Sequence, residues 1–158
     1  MEAIADDLWK VYNKEWREAR LSLKIHKHDE EIIYLLMQLV RGIYEFCQNE
    51  TKESHHKKKT EQLTEIYLHQ KLPPSFNKDH VTNPIRSFVH SCIRCLYHMC
   101  SLKHSPLYIY WIPKGEMIDK NKFEIEGDKD KHVCDWTVWP AVMKEDGTVL
   151  KKGVVIPV

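Results

Sequence analysis

Long apolar runs are missing from this chain. No stretch reaches the roughly 18 consecutive apolar residues of a membrane-spanning helix, so a single-pass anchor within these 158 residues is excluded. No charge sign dominates either: 24 Lys and Arg stand against 23 Asp and Glu, a formal net charge of +1. Bulk electrostatics therefore gives no argument for nucleic acid. The five cysteines are an odd number without framework spacing, which suits a reducing compartment. The opening MEAIADDLWK is acidic and amphipathic and lacks a signal peptide's basic and apolar regions. There is no Gly-rich phosphate loop, no G-x-S-x-G and no H-E-x-x-H, so the common catalytic signatures are absent. No segment sustains heptads, and neither repeats nor low-complexity tracts occur.

What is present is organised around Asn83 to Leu102, NPIRSFVHSCIRCLYHMCSL. Asn83 reads as an N-cap and Pro84 fits a first helical turn. At about 100° per residue, Ile85, Phe88, Val89, Cys92, Ile93, Cys95, Leu96, Met99 and Cys100 share one half of the wheel. Arg86, Ser87, His90, Ser91, Arg94, Tyr97, His98 and Ser101 share the other. An apolar face that broad predicts the central helix of a domain. His90, Cys92, Cys95, His98, Cys100 and His104 also invite a metal reading. Cys92, Cys95 and His98 step around a helix by about 60° each, so at most two neighbours converge on one ion. Packed thiols are the expectation, with no metal and no cofactor. The enzymatic alternative is a zinc centre or a thiol–histidine pair on this helix.

The rest of the chain divides by periodicity. Residues 3–24 form a helix on Leu8, Val11, Tyr12, Trp16, Ala19 and Leu23. A second helix, about 30–48 and capped by Asp29, carries Ile32, Leu35, Leu36, Leu39, Ile43, Phe46 and Cys47, with Gly42 as a local weakness. The segment 51–60, TKESHHKKKT, is a polar loop. A short helix over 60–71 ends at Leu72-Pro73-Pro74. Beyond Pro106 the pattern turns to strands: 107–112, 122–126, 133–143 with Pro140 at an edge or bend, and a closing pair or bent strand around Gly153. The apolar end GVVIPV suggests either a strand tied into a sheet or a domain cut from a longer protein. The expected fold is α+β in one domain, 1–158: a four-helix portion over 3–103 packed against a small mixed β portion over 106–158.

Binding residues are sought in the one dense basic run, His55, His56, Lys57, Lys58 and Lys59, joined by Arg86 and Arg94 of the central helix. Near an anionic bilayer each lysine contributes about 1 kcal/mol. The other binding mode is protein pairing through Tyr108, Tyr110 and Trp111. The sequence leaves both open.

The closing stretch Trp139-Pro140-Ala141-Val142, a short acidic-glycine turn, then Leu150-Lys151-Lys152-Gly153-Val154 resembles the end of the C-terminal domain of the mitochondria-eating protein (Mieap) family. That pattern has a tryptophan-proline-alanine-aliphatic run, a variable turn and a lysine-glycine. Leu8, Tyr12, Glu15-Trp16 and Ala19 are similar to the spacing near the start of the same domain. The resemblance implies a non-enzymatic lipid- or protein-binding module in mitochondrial quality control. Cytoplasmic placement with recruitment to the mitochondrial outer membrane follows from it, as do cardiolipin as an anionic lipid partner and self-association. It transfers no catalytic residue. For Trp16, Trp139, Pro140, Ala141, Lys152 and Gly153 it implies structural roles.

Overall fold

A computed structural model describes residues 2–24, 27–53 and 57–158, with Glu2 described in its backbone alone. The fold is α+β, helices first and small sheets after. The chain divides into two compact units: Asp7–Ser101, and Leu102–Val158 together with residues 1–6.

The first helical rod is built from α1 (Glu2–Val11), a π-helical turn (Tyr12–Trp16) and α2 (Arg17–Leu23). Dihedrals at both joins are right-handed helical, so the rod is continuous. Leu8, Tyr12, Trp16, Ala19 and Leu23 recur about every 3.75 residues, wider than the roughly 3.6 of an α-helix. A straight helix would let that stripe drift by about 60°, and the single wide turn absorbs the drift. All five are buried.

Helix α3 (Asp29–Glu53) starts with Asp29, Glu30 and Glu31, acids that favour the positive end of the helix dipole. It runs farther than the expected 30–48. Its buried stripe holds Ile32, Leu36, Leu39, Ile43 and Cys47. Helix α4 (Thr60–Ile66) continues into a second π-helical turn, Tyr67–Lys71. A short 3-10 turn, Lys78–His80, precedes α5 (Asn83–Cys100).

Helix α5 packs against α2, α3, α4 and the first π turn, the central position its broad apolar face predicts. Three details differ from the wheel. Asn83 is already helical, and Thr82 is the extended flanking residue, its carbonyl accepting from Arg86 N at 2.9 Å. Ser91 and Tyr97, assigned to the polar half, are buried. Ser91 is reconciled with burial by donating to Glu15 Oε1 at 3.2 Å, since a buried hydroxyl without a partner is costly.

The second unit holds two three-stranded sheets. The first pairs β1 (Leu107–Tyr110), β4 (Ala141–Lys144) and β5 (Val149–Lys151) antiparallel, with β4 central. The second places β6 (Gly153–Pro157) between β2 (Phe123–Ile125), parallel to it, and β3 (Cys134–Trp139), antiparallel to it. Ile112, Ile118, Phe123, Cys134, Ala141 and Val155 form a shared core cluster. The first turn of α1 is tied to this unit by Asp6 and Lys151, 3.1 Å apart.

The chain changes sheet twice at one place. Pro140 separates β3 from β4, and Lys152 separates β5 from β6, each time across the two sheets. Such corners need bends that regular strands do not supply, and register shifts lie at Thr137/Trp139 and Val142/Met143. A Cβ at Gly153 would collide with the Trp139 carbonyl oxygen and sit 2.6 Å from both Ala141 N and Phe123 Cε1. The two corners touch through backbone, and only glycine admits that approach.

Candidate functional site

Residues 57–59 lead into α4, with Lys59 extended at the N-cap position. Across from them α5 presents Arg94 and His98, one turn apart on its exposed side. Together Lys57, Lys58, Lys59, Thr60, Glu61, Arg94, Tyr97 and His98 line a groove of about 470 Å³. Thus the lysine run and Arg94, 35 residues or more apart in sequence, meet at one surface. Lys58 is partly engaged, its ammonium 2.9 Å from Glu50. Lys57, Lys59 and Arg94 form no ion pair among the described residues. The three cations are exposed, with Glu61, on which Lys59 acts electrostatically, as the one carboxylate in the lining.

Arg86 lies elsewhere. It joins Lys14, Glu15, Glu18, Glu61, Glu65 and His90 around a second groove of about 490 Å³ that shares Glu61 with the first. Its guanidinium sits 3.0 Å from Glu65, and His90 sits 3.6 Å from Glu61. Glu61 is held below the usual carboxylate range by its own backbone amide first and by His90 next. This second groove is rich in carboxylates, four against Lys14 and Arg86, and Arg86 is engaged there by Glu65. His55 and His56 lie outside the described residues.

The thiols are poorly suited to chemistry. Cys47, Cys92, Cys95 and Cys134 are buried, with Cys100 half-buried. Burial pushes every one of them above the ordinary thiol value, Cys95 and Cys100 to about 11. A thiolate, not a thiol, is the nucleophile and metal ligand. No group of three His, Cys, Asp or Glu among the described residues could hold a metal ion. Neither form of the enzymatic alternative gains support. No helix among the described residues is long and apolar enough to cross a membrane.

The residues carried by the resemblance occupy other places. Trp16 and Trp139 are among the largest fully buried side chains. Pro140, Ala141, Lys152 and Gly153 make the two sheet corners described above. Tyr108 and Tyr110 are about two-fifths exposed, at 42% and 38%, while Trp111 is half-buried. The sheet corner has a sequence signal in Gly153, a glycine inside a strand pattern. The groove has none beyond its separate basic residues, because their meeting depends on tertiary packing.

The class defined by these features is an α+β module: a helical unit built on α5, carrying a basic groove, and a unit of two small cornered sheets. A family model described as mitochondria-eating protein matches residues 69–157, more than half of the chain. The chain belongs to the mitochondria-eating protein family, a non-enzymatic mitochondrial protein family, which connects it to mitochondrial quality control. Comparison with curated proteins and with solved structures gives no match. The matched span includes Arg94, His98 and both sheet corners, whereas Trp16 and Lys57–Lys59 precede it.

Proposed function

We propose that the helical unit is a peripheral binding module for anionic phospholipid, recruiting the chain to mitochondrial membrane, with a cardiolipin-type diphosphate headgroup in the groove of Lys57, Lys59 and Arg94. One observation carries this reading: residues distant in sequence converge on a groove with three cations that form no ion pair among the described residues. Arg94 offers a planar fork suited to a phosphate and the lysines act as point charges. The apolar face of α5 is buried in the helical unit, so this helix adds no inserted surface. Binding then rests on charge and is screened by salt.

The experiment is flotation with phosphatidylcholine vesicles, with and without cardiolipin. The parent is compared with a Lys57→Gln, Lys59→Gln, Arg94→Gln variant. At about 1 kcal/mol per cation near the surface, the variant loses on the order of a hundredfold in affinity. Equal flotation of both proteins, or flotation unchanged in about 0.5 M salt, removes this groove from membrane recruitment.

A further inference from the structure

The two outer edges of the β2–β6–β3 sheet are unlike. Along β3 the edge is covered by the segment 112–118. Gly115 N donates to Cys134 O at 2.8 Å, Cys134 N to Glu116 O at 2.8 Å and Ile118 N to His132 O at 2.7 Å. Thr137 Oγ1 adds contacts to both the amide and the carbonyl of Ile112. That cover removes the template an exposed strand presents.

The β2 edge has no such cover. In a parallel ladder, alternate residues of a strand direct both backbone groups to the same neighbour. Gly153 N donates to Lys122 O at 3.0 Å and Glu126 N to Val155 O at 2.8 Å. Residues 122, 124 and 126 therefore serve β6, and Phe123 and Ile125 direct theirs outward. Phe123 N is taken by Asp119 O at 3.0 Å. Among the described residues, the Phe123 carbonyl and both backbone groups of Ile125 remain at the edge without a partner. β2 holds neither proline nor a register shift, two of the usual guards of an open edge.

A groove of about 430 Å³ runs at this edge, lined by Lys120, Phe123, Glu124, Ile125, Lys129 and Lys152. The three lysines are exposed and make no ion pair among the described residues. Unsatisfied strand groups, an adjoining cavity and three free cations against one carboxylate fit one kind of occupant. We propose that the β2 edge docks an extended acidic peptide segment of a partner protein, which adds as a fourth strand to this sheet. Main-chain hydrogen bonds to Phe123 and Ile125 would set its position, and Lys120, Lys129 and Lys152 would select its carboxylates. A lone phosphate satisfies the lysines and leaves the backbone groups unpaired, so the edge favours a peptide.

The probe is a fluorescein-labelled peptide of alternating glutamate and valine, read by anisotropy against the whole chain. Two further peptides carry N-methyl groups on alternate residues, one in each register. These keep the charge and remove strand donors without altering the protein. The expected result is saturable binding, weakened at least tenfold by N-methylation in one register and at least tenfold by Lys120→Gln, Lys129→Gln, Lys152→Gln. Amide shifts in an NMR titration should concentrate at residues 123–129. No binding, equal binding by both N-methylated peptides, or full displacement by millimolar inorganic phosphate would overturn the proposal. So would amide shifts centred on Arg94, which would assign the peptide to the other groove.

Discussion

The hydroxyl of Tyr67 lies 2.7 Å from where a Cβ at Gly42 would stand. The glycine inside α3 is a docking notch for the second π turn. Tyr67 is fully buried, stacked on Phe46 with ring centroids 5.5 Å apart, and reaches Leu39 O at 3.5 Å. On propensity alone Gly42→Ala would gain about 1 kcal/mol in a helix. The expected outcome is the reverse, a loss of about 1–3 kcal/mol from overpacking. Tyr67→Phe removes the offending oxygen, and the ring carbon behind it, 3.7 Å away, is in ordinary contact. Gly42→Ala with Tyr67→Phe should therefore recover most of the loss. Urea unfolding of the two single variants and the double variant checks this, with additive losses as the contrary result.

The sheet corner should be less forgiving than any turn. Gly153→Ala drives a methyl into two backbone atoms and the Phe123 ring, a cost of about 3 kcal/mol or more. Gly147→Ala is the control: its φ of 92° is left-handed, yet nothing lies within 4 Å of the added carbon. That variant should lose only about 1–2 kcal/mol. Thermal unfolding followed by tryptophan fluorescence separates the two.

Thr137 bridges a buried strand end. Its hydroxyl donates to Ile112 O at 3.0 Å and lies 3.1 Å from Ile112 N, which donates back to it. Thr137→Val keeps the shape and strands two buried backbone groups, at about 1–3 kcal/mol each. Thr137→Ser keeps the oxygen and should cost much less. Hydrogen exchange at Ile112 should accelerate in the valine variant alone.

Alkaline stability follows from the thiols. Burial raises the pKa of Cys47, Cys92, Cys95 and Cys100 above the ordinary 9.0. Above pH 9 the unfolded chain releases these protons while the folded chain keeps them. The unfolded state then binds fewer protons, so the stability of the helical unit falls as pH rises. The contribution is intact below pH 9, and for Cys95 and Cys100 it is lost by about 11. Chemical denaturation at pH 7.5, 9 and 10.5 should show a progressive fall, and a flat profile would contradict it. At pH 8, native labelling by a thiol reagent should be slow for all but the half-buried Cys100.

Periodicity made the helical unit legible. The stripe from Leu8 to Leu23, the face of α5 and the run from Ile32 to Cys47 are where the pattern placed them, because burial selects apolar residues at helical spacing. The two π turns were hidden: a stripe drifting by a few degrees per residue still scores as a helix. Propensity marks Gly42 as a weakness because it sees only the helix that contains the residue, not Tyr67 arriving from elsewhere. In the sheets, strand positions were visible through β-branched and aromatic residues. The exchange between sheets at Pro140 and Lys152 was not, since pairing across dozens of residues leaves no local mark. For the same reason the sequence places Arg86 and Arg94, two turns apart on one helix, in one group, though Glu65 draws Arg86 into a different groove.

The central strand of the second sheet is β6, joined on one side by β2 and on the other by β3. During synthesis β2 leaves the ribosome before its strand partner exists and β3 with only the segment 112–118 to pair on, and they stay so until residues 153–157 follow. At about 5–20 residues per second, that interval lasts about two to seven seconds for β2. Through it the Trp136 and Trp139 strand lacks β6 on its other side. A ribosome stalled anywhere between residues 126 and 152 would display an incomplete sheet. Proteolysis of arrested chains should show the helical unit protected early and the sheet unit protected only after the β6 segment has emerged.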